Sequence, residues 1–397
     1  MSTDGKQGSI PKLPPAAYVA LMAGTALMSL LFGALGPVLP LMAADLGKGG
    51  VFTAQMMMST PAMGVIVGGL LSGWLAERLG AKTLLIAMLV GYAIIGSSGL
   101  YLTAIPILLA SRLLLGVCVA AIGTSINTLI GELFDEKKRA RLLGFQGGVA
   151  GLTSVAALLS SGMLGQAFGW RAAFAIYLIA LPLIFFAMLI PAPQAVMRHD
   201  PDRLADPRIK RELIGLWPIW LLIFPAYVAL FMNAIQISLL LADGGVTSAA
   251  VRGGVISASS IASAISGAAY GALYMRLTTR AITALLLSLM AAGYLLIGSG
   301  PGLPFIILGV GLGGLGGGIL SPHVAAYLLR RASPAARPRA IGFMLTVLFV
   351  GDFLNPILVA PIKSAFGIHG AFLVVSGLLV IAATVAAASG KRKPSLR

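Results

Sequence analysis

Long apolar stretches of about twenty residues, punctuated by short clusters of charge, run the length of this chain. Wound as a helix, a stretch of that length crosses the hydrocarbon core of a bilayer. Lipid offers no partner to backbone amides, so the spans must be helices; Gly and Pro within them are tolerated where neighbours pack around the break. The pattern predicts about twelve spans. In the first half they fall near 16–40, 53–75, 83–102, 106–131, 142–164 and 171–191. In the second half they fall near 215–241, 252–275, 281–299, 304–329, 341–361 and 370–389. The expected fold is therefore an all-α membrane protein. Residues 1–15, polar and Pro-rich, do not resemble a cleavable signal, so the first stretch is expected to stay as a retained helix.

The second half repeats the first at an offset of 198. Asp45 and Gly47 return as Asp243 and Gly245; Gly73, Leu75 and Arg78 as Gly271, Leu273 and Arg276. Arg141, Gly144 and Phe145 return as Arg339, Gly342 and Phe343, and Gly169 and Phe174 as Gly367 and Phe372. An Asp, two Arg positions and a Gly-Phe pair in one ungapped register imply internal duplication. The longest hydrophilic stretch between spans, Pro191 to Leu213, lies at the midpoint. The expected organisation is a tail (1–15), a six-helix bundle (16–191), a linker (192–214), a second six-helix bundle (215–389) and a tail (390–397). Duplicated membrane halves facing each other across an axis are a transporter architecture.

Composition agrees with lipid as the medium. Of 397 residues, 58% are apolar and only 10% charged, with mean hydropathy +0.97; a soluble domain carries about a quarter charged residues. The net charge of +16 is a topology signal rather than a nucleic-acid patch. All Lys and Arg except Lys48, Arg112, Arg171, Arg252 and Lys363 fall in one alternate set of loops and tails. That bias places both termini in the cytoplasm and the chain in the cytoplasmic (inner) membrane, as a multi-pass protein. The single cysteine, Cys118, excludes an intrachain disulfide, and His199, His323 and His369 have no metal-site spacing. Neither metal nor cofactor is expected. Without a G-x-x-x-x-G-K-[ST] loop, ATP is not the direct energy source.

Gly73-Trp-Leu-Ala-Glu-Arg-Leu-Gly-Ala-Lys82, between spans two and three, resembles the loop signature of the major facilitator superfamily (MFS), and Gly271 to Arg280 is its degenerate copy. Arg112-Leu-Leu-Leu-Gly116 resembles the family's R-x-x-x-G signature, and Gly169-Trp-Arg-Ala-Ala-Phe174 its entry to span six. The resemblance implies alternating access, with a gating loop of Gly73, Glu77, Arg78, Gly80 and Lys82, matched by Arg276 and Arg280. Gly73 is expected to allow close helix approach. Glu77, Arg78 and Lys82 are expected to pair with neighbouring helix ends, among them Glu132, Asp135 and the start of span eleven, in one access state; the alternative is that they only anchor the topology. The stretch 157–162 lacks the proline of the family's antiporter element; Asn355-Pro356 stands at the matching register of span eleven.

Eleven of the twelve acids lie in loops or at helix ends; Asp352 alone lies near the middle of a span. A carboxylate at that depth must face a cavity or a partner, and suits a proton carrier or a counter-ion. Arg112, Asn127, Gln146, Asn233, Gln236, His323 and Asn355 are the candidate cavity or substrate residues. The alternatives are an interfacial arginine, a satisfied histidine and amides that pin helices together. Tyr18, Phe32, Tyr227 and Phe231 read as packing. The expected function is proton-coupled efflux of a small amphipathic molecule by a monomer. The alternatives are uptake of an organic anion through a vestibule of Arg112, Arg171, Arg252 and Lys363, or a membrane assembly factor or sensor that does not transport. No enzymatic activity is expected.

Overall fold

The computed structural model describes residues 14–191, 207–300, 302–333 and 336–388. Most of the expected tails and linker, with His199, lie outside the described residues, so those boundaries rest on sequence alone. Among the described residues every regular element is helical. The first half holds α1 (Pro15–Gly33), α2 (Leu39–Asp45), α3 (Gly50–Leu79), α4 (Ala81–Gly96), α5 (Ile105–Leu133) and α6 (Glu136–Phe168), then a 3-10 helix (Trp170–Ile179) running into α7 (Ala180–Met188). After α8 (Pro207–Gly215), the second half holds α9 (Trp217–Leu230), α10 (Met232–Ile235), α11 (Ile237–Asp243), α12 (Ala249–Arg276), α13 (Thr279–Ser299), α14 (Leu303–Arg331) and α15 (Arg337–Ala388).

Nine helical stretches are long and apolar enough to cross a membrane, and the pair Ile219–Ile235 and Ile237–Asp243, bent by 45°, makes a tenth. One of the nine, Arg339–Ala388, is two helices divided at Gly367, whose φ of 70° and ψ of 176° are not helical. With that division, and with α1 and α2 as a broken first span, the described residues supply the twelve expected spans. Span five starts earlier than hydropathy alone suggested: α6 begins at Glu136, where the Asp135 carboxylate accepts the Lys138 amide at 2.8 Å. A capped helix start winds charged residues into its first turn whatever their hydropathy.

The duplication is visible in the backbone. α1 ends at Gly33 and α2 runs from Leu39 to Asp45; in the second half α9 ends at Leu230, within one residue of the offset, and α11 runs from Ile237 to Asp243, at the offset of 198. The first span of each half is thus broken at the same place, where sequence had suggested one continuous helix. Gly47 and Gly245 have φ of 68° and 85°, and Gly169 and Gly367 have 83° and 70°. Glycine enters this region without a Cβ penalty, so the repeated glycines carry the repeated turns. Gly36 and Ala234, also 198 apart, meet: a Cβ on Gly36 would stand 3.4 Å from Ala234 O. The two breaks therefore cross on the axis relating the halves.

Small residues set the helix spacing, as they do where lipid removes the hydrophobic drive between helices. A Cβ on Gly64 of α3 would collide with Leu113 O of α5, and one on Gly116 of α5 with Pro61 O of α3. The expected close approach at Gly73 is corrected: nothing lies within 4 Å of a Cβ there. The tight crossing sits deeper in the span, and the helices diverge towards Gly73.

Two related seams join the halves, α6 on α12 and α3 on the first limb of α15. Gln166 Oε1 accepts the Ala249 amide at 2.9 Å; a Cβ on Gly162 would lie 2.6 Å from Ala249 O, and one on Gly253 2.5 Å from Leu158 O. Ser154 and Ser260 share a hydrogen bond of 3.1 Å. Further along the same helices Phe145 is exposed, and Gly148 and Gly271 face open space. The halves are closed at the end bearing Gly47, Gly169 and Gly245 (the far end). They part towards the end bearing Arg78, Lys82 and Arg276 (the basic end).

Candidate functional site

Where the second seam passes the broken span of the second half, a chain of amides links the two bundles. Gln55 on α3 donates to Gln236 Oε1 at 2.8 Å, and Gln236 donates to Asn355 Oδ1 at 3.1 Å. Asn355 in turn donates to Val228 O at 2.8 Å. All three amides are buried. A buried amide must be bonded or it destabilises the fold, so each link depends on the others staying in place. Asp352 stands three residues before Asn355, on the same side of α15. It is 1% exposed, and its Oδ2 has no hydrogen-bond partner among the described residues. Gly351 lets this part of α15 approach α9, since a Cβ there would lie 3.1 Å from Tyr227 Cβ and Val228 N.

Nearer the far end, Arg252 of α12 is 1% exposed. Its Nε donates across the seam to Pro37 O at 3.0 Å, and its Nη1 to Val246 O and Thr247 O at 2.8 and 2.9 Å. Ser238 Oγ also reaches Pro37 O, at 3.4 Å. Pro37 lies in the gap between α1 and α2, so the break in the first span offers a carbonyl that a cation of the other half holds.

The remaining candidates separate. Arg112 lies inside the first half rather than in a cavity. It is fully buried, and its Nη2 donates to Gly96 O at 2.7 Å, Ser98 Oγ at 3.1 Å and Ile95 O at 3.2 Å. Its guanidinium carbon lies 4.6 Å from the Phe174 ring centre and 5.2 Å from that of Tyr177. Arg171 donates to Gly99 O and Leu102 O. Arg112, Arg171 and Arg252, three of the four cations of the vestibule in the alternative uptake reading, are each held by backbone carbonyls. Gln146 donates to Leu21 O, and Asn233 to Ser259 Oγ at 3.1 Å, each within its own half. Asn127 is exposed on α5, four residues after Gly123, which faces open space. His323 is bonded to Thr283 Oγ1 at 2.9 Å and meets Tyr270 OH at 3.4 Å.

In the gating loop, Gly80 makes the turn with φ of 80°. Arg78 lies over the ring of Trp74 at 4.1 Å, and Lys82 donates to Met188 O at 2.8 Å. The expected ion pairs of these two cations with neighbouring helix ends are not formed among the described residues; Asp135 instead pairs with Lys138 at 3.6 Å. Of the aromatics, Tyr18 packs on Phe134, and Tyr227 and Phe231 are buried; the side chain of Phe32 lies outside the described residues.

Sequence reasoning missed Gln55 and the role of Arg252. The missed signal was register: Gln55 and Gly253 are 198 apart, and each faces the opposite half.

Duplicated six-helix bundles with broken first spans and polar groups at their interface define a multi-pass α-helical membrane protein of the transporter-like, two-bundle class. The family model described as Major Facilitator Superfamily matches residues 21–246. The chain belongs to the major facilitator superfamily. Among curated proteins it is 25% identical over 152 residues to the arabinose-proton symporter of Escherichia coli K12, covering 38% of this chain and 31% of the symporter. It is 29% identical over 184 residues to a chloramphenicol resistance protein of Streptomyces lividans, covering 46% of each. The matches thus span less than half the length of these relatives. Among solved structures, the nucleoside transporter NupG superposes with a TM-score of 0.76 at 15% identity, covering 95% of this chain and all of that one. A D-xylose-proton symporter superposes with a TM-score of 0.70 at 14% identity, covering 94% and 95%. At those identities the likeness concerns the fold.

Proposed function

We propose that this chain is a secondary transporter of the cytoplasmic membrane. It moves a small organic molecule by alternating access, coupled to protons through Asp352, and works as a monomer with both termini in the cytoplasm. The observation that carries this reading is the buried Asp352, with a carboxylate oxygen unpartnered among the described residues, one turn from the amides that tie the halves together. Binding or losing a proton there changes the cost of burying that oxygen, and so biases the bond pattern that holds the far end shut. With the basic end cytoplasmic by the positive-inside bias, the arrangement is inward-facing. Arg78 stacked on Trp74, with no ion pair to a neighbouring helix end among the described residues, fits an open inner gate. The bundle and linker boundaries inferred from sequence are part of the same reading.

Efflux of an amphipathic compound is the favoured direction. The chloramphenicol resistance protein among the relatives supports it, as do the carbonyl bonds that occupy three of the four cations invoked for organic-anion uptake. Everted membrane vesicles, acidified inside, provide the test with chloramphenicol as first probe. Efflux predicts accumulation that a protonophore collapses, and drug hypersensitivity in cells lacking the gene. Accumulation in intact cells that scales with expression would instead identify uptake, and no proton-linked movement of any compound would favour an assembly or sensor role.

A further inference from the structure

We infer that the second half carries a binding site for an anionic phospholipid, in a crevice at the basic end separate from Asp352 and the amide chain. A cavity of about 610 Å³ lies between α9, α13, α14 and the end of α15. Arg280, Arg330 and Arg331 stand exposed at its mouth. None of the three has a carboxylate partner among the described residues, yet two are held in place. Arg330 Nη2 donates to Thr279 Oγ1 at 2.6 Å while its guanidinium lies 5.3 Å from the Tyr274 ring centre; Arg331 lies 5.4 Å from that of Tyr327. Positioned, uncompensated guanidinium groups suit a phosphate, which accepts two parallel hydrogen bonds from such a fork. The mouth also includes Thr279 and Arg280, the first residues of α13, so the positive end of a 21-residue helix adds to the same field.

The walls have the opposite character. Ile219, Leu222, Ile223, Leu286, Leu287 and Leu320 line the cavity below the arginines. His323 and Thr283, the polar groups at depth, already satisfy each other. A free anion would use the mouth and leave the apolar wall wet; an apolar compound would fill the wall and leave the cations bare. A charged head with an apolar tail meets both ends. Basic pockets between spans at the membrane surface are suited to anionic lipid heads. None of these residues belongs to the seams, so an occupant braces α9 against α13 and α14 without entering the path between the halves.

The test is the melting temperature of the purified full chain in neutral detergent, titrated with phosphatidylglycerol, with phosphatidylcholine, and with tail-less glycerol phosphate. Phosphatidylglycerol should give a saturable rise that the other two do not. In the triple variant Arg280→Gln, Arg330→Gln, Arg331→Gln, half-saturation should move at least about tenfold higher. Ala226→Phe, which fills the apolar wall and keeps every cation, should lose the response too, and reads the site if the triple variant fails to fold. An equal rise with phosphatidylcholine, or an undiminished phosphatidylglycerol response in either variant, overturns the site. Glycerol phosphate reproducing the full rise in an arginine-dependent way overturns the lipid and leaves a small-anion pocket.

Discussion

Asp352→Asn is expected to abolish concentrative transport in proteoliposomes while leaving the folded protein and equilibrium exchange intact. Asn keeps the size of the side chain and its hydrogen bonding but cannot titrate. A one-unit pH difference coupled one proton to one substrate sustains about tenfold accumulation; the Asn variant should fall to equal concentrations on both sides. Asp352→Glu retains the acid and should transport with a displaced pH optimum. The sign follows from the burial. The far-end-closed arrangement gives Oδ2 no partner among the described residues, so it accommodates the neutral acid better than the carboxylate. Acid pH should therefore favour this conformation, and alkaline pH the one that hydrates Asp352. An Asn variant that still concentrates substrate would make Asp352 structural and leave coupling to Glu132, His323 or no residue at all.

The second large effect is expected at Arg252. Its Nε holds Pro37 O of the other half at 3.0 Å while Nη1 holds Val246 O and Thr247 O. Hydrogen bonds from charged donors contribute about 1.5–3 kcal/mol, and the bond across the seam exists only while the far end is shut. Arg252→Met keeps much of the apolar stem and removes the donors, so the balance should move roughly tenfold or more towards a far-end-open state. Cysteine labelling reads this directly in a Cys118→Ala background. Leu158→Cys, buried in the seam against Gly253, should react with a membrane-impermeant maleimide from the far side about tenfold faster when Arg252 is Met. Ser238→Ala, which removes only the 3.4 Å bond to the same carbonyl, should do less. Unchanged labelling in a folded Arg252→Met protein would remove the latch.

The spans, their number and the duplication were legible because lipid leaves the backbone one solution and because glycine marks repeated turns. The pairs Gly47 with Gly245 and Gly169 with Gly367 are letters in the sequence and positive φ angles in the structure. What a side chain faces was less legible. Arg112 opens a signature motif, but its acceptors come from the end of α4 and the residues just after it, with its aromatic cover from the 3-10 helix; spacing along α5 could not reveal that. Gly73 matched a loop signature, yet the helix crossing sits at Gly64 and Gly116, because a signature gives residue types and not the depth at which two helices touch. The breaks in the two first spans carry no period that a hydropathy window detects. They nevertheless place Gln236 and Pro37 where the halves meet. Asp352 and Asn355 were found because a polar residue inside an apolar span has few bland explanations. Gln55 was missed because it is uncharged and its partner, Gln236, lies on a span of the other half, 181 residues away.

The most direct test of proton-linked alternating access needs no knowledge of the substrate. Spin labels at Lys48→Cys and Thr247→Cys, in a Cys118→Ala background, place one probe on each half at the far end. Their distance should form one short population at acid pH, with a longer population growing as pH rises. In Asp352→Asn the short population should predominate over a minor long one, in a ratio that no longer moves with pH. A wild-type distance that ignores pH, or an Asn variant that responds as the wild type does, would contradict coupling through Asp352.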